Sequence, residues 1–312
     1  MLSHTKKPLP NFLRFLYEWR SFSLTRLIQY IFMFSSVPML AYGIQIYTGS
    51  ITRIIIYSII ALYSGFFAAL IWNDITDAEI DAIVHPNRLL PSGKISKKTF
   101  FIIAVVFSAS TFIFSYLISF WCLALVGAAA LFVTFHDKYL KKIIKLPAYS
   151  EIFTPIQWII VPLFGYIAIA GSNYVDMLIL IVFTYLADGA HDLPEGIHDI
   201  DGDLVGGVKT YATSFGEKKT SMISFSMLLI SGFLGMLLFY RTILGFVFLI
   251  PFLIIWFYAL YHSYKLMSSD VFEMKKIGKT VGEKLFRYFW LTYDLIFLDV
   301  FLQLVMHNFR VI

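Results

Sequence analysis

Four acids fall within eight positions in Asn73-Asp74-Ile75-Thr76-Asp77-Ala78-Glu79-Ile80-Asp81, directly after a long apolar stretch. Asp74, Asp77 and Asp81 sit at i, i+3 and i+7, a spacing that stacks three carboxylates on one helical face. Bare carboxylates so close repel one another. At the end of a membrane helix they persist beside a cation or a cationic partner. The stretch therefore reads as a divalent-metal site at a membrane surface.

A second window, Asp188 to Asp203, holds six acids, so half of the chain's twenty acids occupy two short segments. Asp192, Asp199 and Asp203 are at i, i+7 and i+11, one face if a helix continues. Pro194 and Gly196 argue for a loop instead. Solvated acidic loops are common, but two of them at the inner ends of even-numbered spans, each followed by basic residues, point to a shared purpose. After the first window, Pro86 and Pro91 set a turn in which Arg88 and Lys94 are free to face an anion, and Ser96 fits a helix N-cap. After the second, Gly206-Gly207-Val208-Lys209-Thr210 supplies another cation. Carboxylates beside cations suit a metal-bound diphosphate, in which Mg²⁺ bridges phosphate oxygens and Arg or Lys neutralises the rest. His191 and His198 read as polar loop residues or as an acceptor's base. No third zinc-type ligand converges on them, which excludes a zinc site. Asp294 and Asp299 lie in the last apolar segment and are left outside the site.

The elements that must position these groups are membrane helices. The chain is 59% hydrophobic and 14% charged, with mean hydropathy +0.75; soluble domains are about 45–50% apolar and about 25% charged. Segments of about 20 apolar residues span a bilayer. Nine are expected, over 27–47, 52–72, 99–118, 120–135, 152–170, 175–192, 220–240, 243–263 and 285–306, the fourth being short. With the N-terminus inside, all Lys and Arg except Arg53, Arg241 and Arg310 fall on inner segments, 22 of the 25. That asymmetry predicts a cytoplasmic N-terminus, residues 1–26, and active-site loops on the cytoplasmic side. The polar, basic stretch from Met1 to Arg26 lacks a short apolar core, so no signal peptide is expected. The single cysteine, Cys122, excludes an intramolecular disulfide. The expected fold is an all-α, multi-pass integral membrane bundle, one domain over residues 1–312. It would sit in the cell membrane if the source is prokaryotic. The sequence pI near 9 is accounted for by inner-loop basic residues, and no nucleic-acid partner is expected.

The first window and its turn resemble the UbiA superfamily of intramembrane prenyltransferases. Asn73, Asp74, Asp77 and Asp81, then Asn87, Arg88, Pro91, Ser92 and Gly93, match Asn-Asp-x-x-Asp-x-x-x-Asp followed by Asn-Arg-x-x-Pro-Ser-Gly. Asp199, Asp203, Gly207, Lys209 and Thr210 match the second motif, but its leading Asp falls on Gly196. Asp192 and Glu195 are the alternatives for it. Glu18-Trp19-Arg20-Ser21-Phe22 sits where the family often carries a basic residue near the diphosphate. The resemblance implies Mg²⁺-dependent transfer of a prenyl group from a prenyl diphosphate to an aromatic or lipid acceptor. It implies Asp74, Asp77, Asp81, Asp199 and Asp203 as catalytic metal ligands, and Asn73, Arg88, Lys94 and Lys209 as diphosphate-binding residues. Asp199 to Thr210 leans towards the geranylgeranylglyceryl phosphate and chlorophyll-type branches. The alternatives are a terpene cyclase of the same fold and a cation-binding transporter.

Overall fold

With no water to bond to in hydrocarbon, a spanning segment must satisfy its own backbone, and a helix does so. The computed structural model describes Trp19 and residues 23–84, 86–140, 143–144, 146–171 and 173–310. Lys6, Lys7, Arg14, Arg20, His85, Lys141, Lys142 and Lys145 lie outside the described residues. Among the described residues every regular element is helical. In chain order they are α1 Leu24–Tyr42, α2 Gly49–Thr76, α3 Ala78–Val84, α4 Lys97–Ile118 and α5 Phe120–Phe135. There follow a π-helical turn His136–Leu140, then α6 Tyr149–Phe153, α7 Ile156–Ala168, α8 Tyr174–Gly206, α9 Tyr211–Phe215, α10 Glu217–Arg241, α11 Phe246–Ser268 and α12 Val271–Arg310.

Eight segments are long and apolar enough to cross a bilayer: α1, α2, α4, α6 with α7, α8, α10, α11 and α12. The expected fourth span, α5, has 16 residues, and the π-helical turn prolongs it. Large apolar side chains face outward on α4 and α5, among them Val106, Ile113, Trp121 and Leu131, where lipid would cover them. Inside, aromatic rings join α1, α2, α7 and α12. Tyr30 meets Phe66 and Trp290, each at 4.6 Å between centroids, and Trp158 meets Trp290 at 5.1 Å.

The expectation of an acidic loop after residue 192 is wrong. α8 runs unbroken for 33 residues and carries Pro194 and Gly196 inside it. Proline removes one amide donor and orphans the carbonyl four residues earlier. Here that carbonyl is Ala190 O, and Ser224 Oγ of α10 donates to it at 2.7 Å. The helix therefore passes through Pro194 with its freed acceptor satisfied. It ends at Gly207, whose φ of 68° closes a turn in which Val208 N donates to Asp203 O at 2.9 Å.

α12 likewise begins at Val271, well before the expected 285, because Asp270 caps it by accepting from Glu273 N at 2.9 Å. Gly278 and Gly282, one turn apart, let α12 close on α8. A Cβ at 278 would run into Pro194 O, and one at 282 into Glu195 Cγ. Lys275 seals the pair, with Nζ 2.7 Å from Asp201 Oδ1.

Two acids expected in the last span have structural partners. Asp299 accepts from Gly245 N at 2.8 Å and Phe248 N at 3.2 Å, capping α11. Asp294 accepts from Gln29 Nε2 at 3.1 Å.

Ser224→Ala strands the buried Ala190 carbonyl and is expected to lower stability by about 1–3 kcal/mol. Thermal unfolding in detergent reads this. Gly202→Ala, with open space around it, serves as control and should be neutral or slightly stabilising, by roughly 0.5–1 kcal/mol.

Candidate active site

The first acidic window lies at the α2–α3 junction. Asn73 and Asp74 belong to α2, Asp77 is its C-cap, and Asp81 lies in α3. The helix axis breaks at Asp77, but the i, i+4 ladder is kept: Asp77 N donates to Asn73 O at 2.9 Å and Asp81 N to Asp77 O at 2.8 Å. The three carboxylates thus keep the helical register that their spacing predicts. Asp74 is 4% exposed and accepts from the indole Nε1 of Trp19 at 2.5 Å. Trp19 packs its ring against Phe67 and Phe100, both at 5.8 Å.

Asp81 is 5% exposed. Arg88, expected to be free in the turn, is instead tied to it: Nη1 lies 2.7 Å from both Asp81 oxygens. The physical reason is proximity. The turn anchors buried Leu89, with Ile95 N donating to Leu89 O at 3.3 Å, and so holds Arg88 beside α3. A buried carboxylate takes the nearest cation. Lys94 is exposed, and Ser96 caps α4 as expected, accepting from Thr99 N at 3.1 Å.

The second window is a stripe on α8. Because the helix continues, Asp188, Asp192, Glu195, Asp199 and Asp203 share one face. Their burial falls along it: Asp188 is fully buried, Asp192 and Glu195 partly so, and the Asp199 side chain is 69% exposed. His191 is wedged between two acids. Its Nε2 is 3.0 Å from Asp192 Oδ1, its Nδ1 is 3.4 Å from Asp188 Oδ1 and also meets the Asp188 carbonyl, and its ring lies 4.5 Å from that of Phe286. Both ring nitrogens thus face oxygens, which suits a donor clamped by carboxylates better than a metal ligand. Glu195 leans on α12 at Gly282.

Lys209 is exposed, and its carbonyl is fixed by Ser150, from N at 3.3 Å and from Oγ at 3.0 Å. Tyr211 N donates to the carboxylate of Glu151 on α6. Burial, with Tyr185 and that carboxylate adding to it, pushes the Tyr211 phenol above its ordinary range.

A chain of contacts places both windows at one end of the bundle. Trp19, which bonds Asp74, precedes α1. Arg26 of α1 sits 5.6 Å over the Phe286 ring, and the same ring carries His191. The donor set suits Mg²⁺, which takes carboxylate oxygens and keeps several waters. Both Asp188 oxygens and Asp192 Oδ2 are buried without a hydrogen-bond partner. The sequence marks Trp19 only as part of a segment near the diphosphate, and its bond to Asp74 has no spacing signal in the sequence. Glu151, which accepts from Tyr211 N, is not singled out there. Asp188 opens the second window but is not expected as a ligand; it joins the stripe because α8 continues.

A family model described as the UbiA prenyltransferase family matches residues 31–275. A digeranylgeranylglyceryl phosphate synthase of Methanothrix thermoacetophila is 29% identical over 194 residues, covering 62% of this chain and 68% of that protein. The apo structure of a UbiA homologue from Aeropyrum pernix K1 superposes with TM-score 0.66 at 16% identity, over 90% of this chain and 99% of that one. A UbiA homologue from Archaeoglobus fulgidus, bound to DMAPP and Mg²⁺, superposes with TM-score 0.54 at 12% identity, over 85% and 97%.

Arg88→Ala removes the counter-ion of a buried carboxylate, a change expected to cost about 3–5 kcal/mol. Asp81→Asn in the same chain relieves the stranded charge, so the double variant should unfold at a higher temperature than Arg88→Ala alone.

Proposed function

The chain belongs to the UbiA prenyltransferase family and is a multi-pass integral membrane prenyltransferase, and on that premise we propose that the acidic end of its bundle holds the diphosphate of a prenyl donor. The observation that carries this reading is the five-acid stripe of α8 at the same end of the bundle as Asp74, Asp77 and Asp81. In the proposal the bundle is one domain with a cytoplasmic N-terminus, as the basic-residue asymmetry argues, so the site faces the cytoplasm.

Asp74, Asp77 and Asp81 form one half of a clamp, and Asp199 and Asp203, with Asp192 at their buried side, form the other. These carboxylates would hold Mg²⁺, which would supply positive charge to stabilise the diphosphate as it leaves. Asn73, Arg88, Lys94 and Lys209 bind the diphosphate. Arg88 does so while keeping Asp81, because that contact uses Nη1 and the guanidinium carries further donors. In the transfer the C1–O bond of the donor breaks and its electron pair leaves with the diphosphate. The acceptor's nucleophilic atom bonds to C1 and releases a proton. Products are the prenylated acceptor, diphosphate and a proton. Aromatic faces stabilise the cation-like carbon without attacking it, and the apolar bundle excludes the water that would quench it.

The acceptor in this reading is a glyceryl phosphate ether with a free hydroxyl. The relative's name supports it: a digeranylgeranylglyceryl phosphate arises when one geranylgeranyl group is added to a glyceryl phosphate that already bears one. The alternatives of an aromatic acceptor and of cyclisation differ from it in product.

Purified protein in lipid, given labelled geranylgeranyl diphosphate and a panel of acceptors, tests both levels. Transfer to the glyceryl phosphate ether is expected, and a cyclic product formed without acceptor would overturn it. Asp74→Asn, Asp77→Asn and Asp199→Asn should each reduce turnover by about a hundredfold or more, the scale of losing one contact to a developing charge, at an unchanged thermal midpoint. Full turnover in Asp74→Asn and Asp199→Asn sinks the clamp.

A further inference from the structure

Resting on that reading and deepening it, we infer that Glu151 supplies the carboxylate that the second motif lacks at Gly196. The second half of the clamp is then completed from α6 rather than from α8 alone. Position 196 lies on the helical surface four residues after Asp192, three before Asp199 and seven before Asp203, so a side chain there would point among those acids. Glycine leaves that volume empty on α8, and Glu151 fills it. A Cβ placed at 196 would collide with Glu151 Oε1. The carboxylate thus begins where an aspartate at 196 would begin. Its electrostatic neighbours are Asp192 and Asp203, the acids that flank Gly196 on the stripe.

Glu151 is held there by its backbone. Ala148, in the left-handed region at φ 56°, turns the chain into α6. Ala148 N donates to Ser214 Oγ at 2.9 Å, and Ser150 donates twice to Lys209 O. Residues 146–153 are thereby pinned to residues 208–214, the stretch that bears Lys209. One Glu151 oxygen, Oε2, accepts from Tyr211 N, which leaves Oε1 turned towards Gly196.

A purely structural account of Glu151 would make it a cap for α9. Most of that cap is made without it: Thr210 and Thr213 form a reciprocal capping box that serves their own two amides, and Glu151 takes Tyr211 N. Accepting from Tyr211 N also needs no negative charge, since an amide oxygen would serve. Yet Glu151 is a carboxylate, 8% exposed, near two further acids, and no Lys or Arg pairs with it among the described residues. A buried carboxylate facing like charges is stable when a cation joins them. Neither alternative read from sequence occupies this place. Asp192 is engaged with His191, and Glu195 leans on α12.

The test is a reciprocal exchange read by metal binding. Mn²⁺, with inorganic diphosphate present, is titrated into protein in lipid nanodiscs and followed by electron paramagnetic resonance. Glu151→Gln keeps the acceptor for Tyr211 N and loses the charge. It should weaken Mn²⁺ binding at least about tenfold, the scale of disturbing a metal's surroundings, at an unchanged thermal midpoint. Gly196→Asp alone places its side chain on the Glu151 carboxylate and should also bind poorly. Glu151→Ala with Gly196→Asp moves the acid onto α8 and should recover most of the binding that Glu151→Ala loses. Wild-type Mn²⁺ affinity in Glu151→Gln, or a double variant no better than Glu151→Ala, overturns the assignment. If the wild type transfers no prenyl group while this binding pattern holds, the reaction assignment fails and the Glu151 assignment stands.

Discussion

Repulsion among carboxylates is the constraint around which this molecule is arranged. Ten acids crowd into two windows at one end of an apolar bundle. Unit charges a few ångströms apart at a half-buried surface interact by several kcal/mol. The fold offsets part of this locally. Arg88 sits on Asp81, the Trp19 indole donates to Asp74, His191 lies between Asp188 and Asp192, and Lys275 reaches Asp201. What is left over is concentrated on the inner parts of the α8 stripe and on Glu151. On the proposed reading that remaining negative potential, not any single acid, is what would select a multivalent cation.

The stripe exists because α8 does not stop. A chain of dependencies supports it. Pro194 orphans the Ala190 carbonyl, Ser224 of α10 satisfies it, and Gly278 and Gly282 let α12 lie close enough to brace the same turn. His198 and Lys275 then close the pair, with His198 Nδ1 2.7 Å from Lys275 O. The chemical end of α8 therefore stands beyond the apolar span as a rigid strut. A metal site on a strut is held to its geometry more tightly than one on a loop.

Membrane class, the span pattern and the first window were legible in the sequence because each is local. Hydropathy is additive along the chain, and the i, i+3, i+7 spacing carries its own geometry. The fate of residues 193–206 was not legible, because proline's penalty was cancelled by a hydroxyl thirty residues away. The same holds for Arg88. Its type and turn were read correctly, but its partner depended on how the turn folds back over α3. Trp19 and Glu151 carry no spacing signal relative to the acids they serve. A tryptophan 55 residues before Asp74 and a glutamate 45 residues before Gly196 become neighbours only through the bundle.

The opposite end of the bundle shows what acids look like when their task is structural. Asp176 is bound by Asn173 and by Arg241 Nε at 2.7 Å, and Asp299 by two amides and Gln303. Each is buried, and each has its oxygens engaged by protein donors. Burial of an acid in a membrane protein therefore does not by itself mark function. Asp188 and Asp192 differ from Asp176 and Asp299 in keeping buried oxygens that no hydrogen bond meets, and Glu151 differs in facing further acids with no Lys or Arg paired to it among the described residues. An acid that only holds the fold together gains by filling its last lone pairs with amides or guanidinium groups, as Asp176 and Asp299 do. An acid that must exchange a cation with each turnover loses by doing so. On the inference drawn for Glu151, the carboxylate that the second motif lacks at Gly196 comes instead from the tip of a neighbouring helix.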